Sequence, residues 1–214
     1  MYKCKIEKTH GPIGRDLRLL MNHTSTDETR PFLQGIFRDK NCLVSTDGRR
    51  LFITTQQDLL DVTAHLIGNI IGNIKGLSIL EVPLDIKQHN NVIQGEIPKW
   101  SMIFRELDSY KHVVLFKVPT WVSKVHKVSE QSFIGIDFKT DRVLIGKDEK
   151  SDVVIHINIA YLAPYAGEQI FFHILDKAHG ILITKDGNTS FMGEVIKGGG
   201  LKDKWLGVIM PMRF

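Results

Sequence analysis

The chain has 214 residues, 43% of them apolar and 24% charged, the balance of a globular protein with a real core; this excludes disordered and collagen-like chains. No run of about 18 apolar residues is present, which excludes a membrane-spanning helix, and Cys4 and Cys42 are too few for a disulfide framework or a cysteine-rich zinc site. A formal charge of +4 and a pI near 9.0 lean toward polyanions without forming a basic tail.

The opening residues MYKCKIEKTHGP lack the apolar core of a signal peptide, so a cytoplasmic protein is expected. Residues 2–8 read as a strand, with Gly11-Pro12 as a break after it. Ile13, Leu17 and Leu20 recur at helical spacing, with Arg15 and Arg18 on the other side. The segment 23–31 is turn chemistry, and the strands PFLQGIF and CLVST follow around Arg38-Asp39-Lys40-Asn41. After LFITT, an apolar-periodic stretch from Asp61 to Ile74 is interrupted by Gly68 and Gly72. LSILEV and NNVIQGEI read as strands.

The second half runs in the same order. HVVLFKV is a strand, and Val118, Trp121, Val122, Val125 and Val128 make the apolar stripe of a helix. SFIGIDF, RVLIG and VVIHI are strands, Ile159–Ala166 is a short helix containing Pro164, and QIFFHIL, GILITK and WLGVIMPM close the chain. Residues 31–47 resemble 132–148 at an offset of 101, matching Phe32 with Phe133, Phe37 with Phe138, Leu43 with Leu144 and Asp47 with Asp148. The repeated order predicts two similar α+β domains meeting near residue 107.

A search for catalytic chemistry returns little. No Walker-type loop, zinc-protease histidine pair, nucleophile elbow or paired metal-binding aspartates are present, and the nine histidines are scattered. The expectation is a non-enzyme with no catalytic residue, no metal and no cofactor. Gly198-Gly199-Gly200 reads as a hairpin loop rather than a phosphate cradle, since a strand-like segment follows it. Two stretches stand out. Thr46-Asp47-Gly48-Arg49-Arg50-Leu51 reads as a tight turn with two exposed arginines. The end of the chain, Val208 to Phe214, carries two methionines and a terminal phenylalanine, and such apolar ends are packed or form an adaptable binding surface.

VSTDGRRL (44–51) and VIMPMRF (208–214) resemble two signatures of the bacterial DNA polymerase III β sliding clamps. RPFLQGIF (30–37), GEIPKWSMI (95–103), SFIGIDF and INIAYLAP extend the resemblance. It covers the family's second and third domains, with the first missing. The implied fold is two tandem processivity-fold domains, 1–107 and 108–214, with antiparallel sheets outside and helices lining the inner face. The implied function is a DNA sliding clamp, or polymerase processivity factor, closing head to tail around duplex DNA. With two domains per chain the expected ring is a homotrimer. The alternative is a monomeric adaptor or decoy that binds clamp-interacting peptides without encircling DNA.

The resemblance also implies a hydrophobic cleft for short peptides from replicative or repair polymerases and the clamp loader. Its expected wall is Leu33, Thr46, Gly48, Arg49, Arg50, Leu51, Pro98, Ile103, Val208, Ile209, Met210, Pro211 and Met212. Arg49 stands where the family has a histidine, and Phe214 where it has a leucine. Sequence-independent DNA contact falls to Arg15 and Arg18 on the first helix and to Lys124 and Lys127 on the later one, each pair at i,i+3. The expected setting is cytoplasmic and nucleoid-associated, without a membrane partner. The basic pI departs from the acidic family pattern.

Overall fold

The computed structural model describes residues 3–7, 11–27, 29–30, 33, 35–39, 41–55, 70–71, 79–83, 99–104, 109–110, 112–124, 133–137, 140, 142–145, 154–189, 193–194 and 204–211. The chain folds into two compact units, Met1–Ser101 with Phe191–Trp205 and Met102–Ser190 with Leu206–Phe214. The expected single cut near residue 107 differs from this division, because Phe191–Trp205 returns to the first unit. One reason is visible at Lys204: its carbonyl accepts the Thr55 backbone N–H at 2.8 Å, and its own N–H donates to Thr55 Oγ1 at 3.1 Å.

The first unit holds β1 (Lys3–Glu7), α1 (Gly11–Asn22), β2 (Gly35–Asp39), β3 (Cys42–Thr46), β4 (Arg50–Thr54), β5 (Ile70–Ile71) and β6 (Ile79–Pro83). Its strands pair in the order β5-β2-β3-β4, and separately as β1-β6, all antiparallel. Two expectations change here. Gly11-Pro12 opens the helix instead of breaking the chain, because a proline in the first turn lacks only an N–H that has no intrahelical acceptor. Ile70–Ile71 is a strand paired with β2, inside the stretch read as helical; the rest of 56–78 lies outside the described residues.

The helix α1 buries Leu17, Leu19 and Leu20. Its last carbonyls are satisfied locally: Leu20 and Met21 accept from the backbone N–H groups of His23 and Thr24, and Leu19 accepts from His23 Nδ1 at 2.7 Å. Since a carbonyl only accepts, Nδ1 carries the proton. The His23 ring lies 5.5 Å from Phe52 on β4, and Phe52 stacks on Trp205 at 5.6 Å. This aromatic row forms part of the first unit's core.

The second unit holds β7 (His112–Lys117), β8 (Phe133–Asp137), β9 (Arg142–Ile145), β10 (Val154–Asn158), β11 (Gln169–Ile174), β12 (Ile181–Thr184) and β13 (Trp205–Ile209), which starts in the first unit. Its sheets run β10-β8-β9 and β13-β12-β11-β7. Short 3-10 helices span Trp100–Phe104, Thr120–Lys124 and Ile159–Tyr165. Asn158 caps the last by accepting from the Ala160 N–H at 3.0 Å, and Ile159, Leu162 and Tyr165 face inward.

The expected valine stripe is only partly realised. Val118 and Val122 are buried, but Trp121 is 46% exposed. A 3-10 turn has three residues per turn, so the 3.6-residue spacing used to assign Trp121 inward does not hold there. Val125 and Val128 lie outside the described residues.

The 101-residue repeat also fails in register. The first hairpin closes on Asp39 and Cys42, the second on Asp137 and Arg142, so their turns differ in length. Phe37 sits buried within β2 opposite Val44, while its expected equivalent Phe138 lies outside the described residues. Strand partners differ too: β2 is flanked by β5 and β3, whereas β8, which matches it at this offset, is flanked by β10 and β9. What recurs is the order strand, helix, three strands.

Candidate functional site

In the first unit the site residues gather on the turn between β3 and β4. Thr46 Oγ1 donates to the Arg50 carbonyl at 2.7 Å and accepts the Gly48 N–H at 3.0 Å. Asp47 Oδ1 accepts the backbone N–H groups of Arg49 at 2.8 Å and Arg50 at 2.7 Å. Asp47 Oδ2 takes Arg50 Nε and Nη2, each at 2.8 Å. One carboxylate thus fixes two amides through Oδ1 and a guanidinium through Oδ2, which two N–H groups of the arginine fork share. Gly48 adopts φ of +86°, the left-handed region open to glycine at little cost.

The turn therefore does not present two equivalent exposed arginines. Arg49 is exposed, whereas the Arg50 side chain is only 15% exposed against Asp47 at 16%. Leu51 is buried opposite Thr46 in the ladder. Leu33 is buried close to the turn: a Cβ placed on Gly48 would stand 3.6 Å from Leu33 Cδ1 and 3.3 Å from Arg30 Nη1. Arg30 is itself held by Asp27, Nε to Oδ2 at 2.8 Å.

In the second unit a separate apolar surface centres on Gly180. A Cβ there would meet Val208 Cγ1 at 2.7 Å, Met210 Sδ at 3.4 Å and Ile103 Cγ2 at 3.9 Å. The absence of a side chain thus lets two distant parts of the sequence, Ile103 and the Val208–Met210 segment, close over one spot. Tyr110 Oη donates to the Gly180 carbonyl at 3.2 Å, tying the segment after Ile103 to the same place. Ile103 is 39% exposed, Met102 49%, and Met210 and Pro211 are half-buried, so apolar surface reaches solvent here. Ile209 is different: it pairs with Ile181 and, by the two-residue period of a strand, faces the opposite side from Val208 and Met210. It is fully buried and belongs to the core.

Next to Gly180, Asp176 accepts the N–H groups of Ala178 and His179 and the His179 ring nitrogen Nδ1 at 2.8 Å. The hydrogen bond from His179 is the main cause holding the Asp176 carboxyl below its ordinary value.

Pro98, Met212 and Lys127 lie outside the described residues. The expected DNA contacts that are described do not share one environment. Arg18 is exposed on α1. Arg15, expected on the same solvent face, lies 4.8 Å over the Trp205 ring and 3.8 Å from Asp16 Oδ1, with its side chain 18% exposed. Lys124 is exposed at the end of its 3-10 helix.

Sequence reasoning missed Asp27, Arg30, Tyr110 and Gly180. For the first pair a signal existed: Asp27 and Arg30 repeat the three-residue spacing of Asp47 and Arg50, and Asp176 with His179 repeats it once more.

No family model and no curated protein matches the chain. Solved structures do. The beta subunit of DNA polymerase III from Thermotoga maritima is 15% identical with a TM-score of 0.52, over 100% of this chain and 66% of that one. A sliding clamp, DNA polymerase III subunit beta, from Bartonella birtlesii bound to griselimycin is 16% identical with a TM-score of 0.53, over 99% and 66%. The beta subunit of the Streptococcus pyogenes DNA polymerase is 10% identical with a TM-score of 0.55, over 100% and 66%. The chain has the α+β sliding-clamp fold along its whole length and spans 66% of the length of these clamps.

Proposed function

We propose that this chain, with the fold of a partial sliding clamp, tethers a DNA polymerase or another replication or repair factor to duplex DNA. Three copies close head to tail, since a heterologous interface makes a ring when its rotation closes. Binding to DNA is through phosphates and independent of sequence, with Arg18 and Lys124 as contacts and Lys127 beside them in sequence. Arg15 contributes less, its guanidinium being taken up over Trp205.

Partners bind by short apolar peptides at the residues around Gly180, and the turn carrying Gly48 and Arg49 in the first unit is a candidate contact in its own right. The observation that carries this reading is the surface around Gly180. Ile103 and the segment Val208–Met210 are far apart in sequence, and each resembles a cleft segment of the clamps. Both lie within 4 Å of where a Gly180 side chain would begin. Apolar surface with a methionine suits ligands of varied shape.

Griselimycin, the compound bound to the Bartonella birtlesii clamp, is the probe. Calorimetric titration of the full chain should give saturable binding with one site per subunit. Ile103→Glu, which alters a side chain 39% exposed, should weaken it by about tenfold or more, the scale of losing an apolar anchor. Absence of binding to the unaltered chain, or equal binding to Ile103→Glu and Met210→Glu, would remove the assignment.

A further inference from the structure

We infer that Trp121 and Lys124 form a stacking site for an unpaired base of single-stranded DNA, the indole taking the base and the ammonium its phosphate. The inference rests on the reading of the chain as DNA-binding and adds a second form of DNA, held by a side chain that duplex binding does not use.

Five large apolar side chains are exposed among the described residues, and Trp121, at 46%, is the only aromatic one. Met102 and Ile103 belong to the surface around Gly180, and Val113 and Leu115 lie on β7. The other two tryptophans are buried and engaged. Trp100, 6% exposed, donates from Nε1 to Asp39 at 2.8 Å, and Trp205, 5% exposed, lies under Arg15. Trp121 and Lys124 make no hydrogen bond, ion pair or ring contact among the described residues.

The turn that carries them is anchored on both sides. Val122 is fully buried, its N–H donates to the Pro119 carbonyl at 3.1 Å, and Ser123 Oγ donates to the Thr120 carbonyl at 2.8 Å. Val118 accepts the Gly167 N–H and donates to the Glu168 carbonyl, each at 2.9 Å. A 3-10 helix has three residues per turn, so side chains three apart stand one above the other. Trp121 and Lys124 therefore share one solvent face of Thr120–Lys124 while Val122 roots it in the core.

Charge favours a polyanion at this face. From residue 109 to residue 129 the chain has four lysines and no aspartate or glutamate. The 3-10 helix Ile159–Tyr165, packed against the turn, carries no charged residue. An open indole beside a cation suits a nucleotide, since every base has a face to stack and every link a phosphate. Within a duplex the base faces are already covered by their neighbours, so the ring selects unpaired bases.

Intrinsic fluorescence reads the site, because Trp121 is the exposed one of the three tryptophans. Oligothymidine, an abasic strand of the same length and a blunt duplex are each titrated into the full chain, with the anisotropy of a labelled strand followed in parallel. Oligothymidine should quench the emission and bind about tenfold tighter than the abasic strand, the scale of one base–aromatic stack. Trp121→Ala should abolish that preference, Trp121→Phe should retain it, and Lys124→Glu should weaken both strands. Equal affinity for oligothymidine and the abasic strand, or an unchanged preference in Trp121→Ala, would overturn the stacking inference; with the duplex still bound, the DNA reading would stand. Emission that shifts with protein concentration in the absence of DNA would put a second copy against Trp121 and overturn the inference as well. Failure of all three probes to bind would overturn both.

Discussion

Asp47 illustrates how much a single side chain carries at this site. It accepts two backbone N–H groups and two N–H groups of one guanidinium, so Asp47→Ala removes the turn's brace and the carboxylate that faces Arg50, only 15% exposed. The expected loss is about 1–3 kcal/mol in denaturant unfolding, the range for stranding a buried polar group. Asp47→Asn keeps one acceptor oxygen and should lose less. His23 makes a second residue-scale prediction. Burial first, and then the positive charge of Arg50, push its pKa from 6.5 down to about 3. Between those values the unfolded chain binds a proton that the folded chain refuses, so stability falls as pH drops from 6.5 toward 3. His173, lowered to about 4 chiefly by burial, acts in the same direction over a shorter window. Urea midpoints between pH 7 and 4.5 should therefore fall with pH, and more gently in His23→Gln. An unchanged slope would show that His23 does not carry the effect.

At the scale of elements, α1 and the strand pattern follow from periodicity, and the failures have identifiable causes. Leu17 and Leu20 fall inward as their spacing predicts, and Leu20→Ala should cost about 2–5 kcal/mol, as for other fully buried leucines. The strands CLVST, LFITT, QIFFHIL and GILITK are legible because each is a β-rich run bounded by turn residues. The segment after Val118 misled because its apolar residues suit an α-helix, while the Val118 carbonyl accepts the Gly167 N–H and the Val118 N–H donates to the Glu168 carbonyl, tying the start of a 3-10 turn down. Ile209 was legible as apolar but not as to face: alternation assigns it a side only once the register with Ile181 is known. Gly180 carried no sequence signal, since its role lies in what Val208, Met210 and Ile103 do around it. Gly180→Val should fill that surface and abolish griselimycin binding. A milder comparison, Gly180→Ala, separates occlusion from misfolding through its melting temperature.

For the whole molecule, a resemblance resting on two short segments at 44–51 and 208–214 anticipated a fold that matching at 10–16% identity bears out. Composition alone reached only a globular chain, and the order of periodic segments two α+β domains. The sliding-clamp fold is read from outside the physics of any one residue, because many sequences satisfy the same alternation of strands. The fold carries no statement about assembly, and function follows from sites and interfaces. The ring is accordingly the claim with most at stake. Arg18→Glu with Lys124→Glu should lower affinity for duplex DNA and flatten its salt dependence, each phosphate contact contributing about one unit to the slope, while leaving griselimycin affinity as it was. The most direct measurement is the absolute molar mass of the full chain in solution, by light scattering across a wide concentration range. A stable mass near three times 24.3 kDa is the predicted result. A mass of 24.3 kDa at every concentration would contradict the ring and leave a monomeric peptide-binding adaptor.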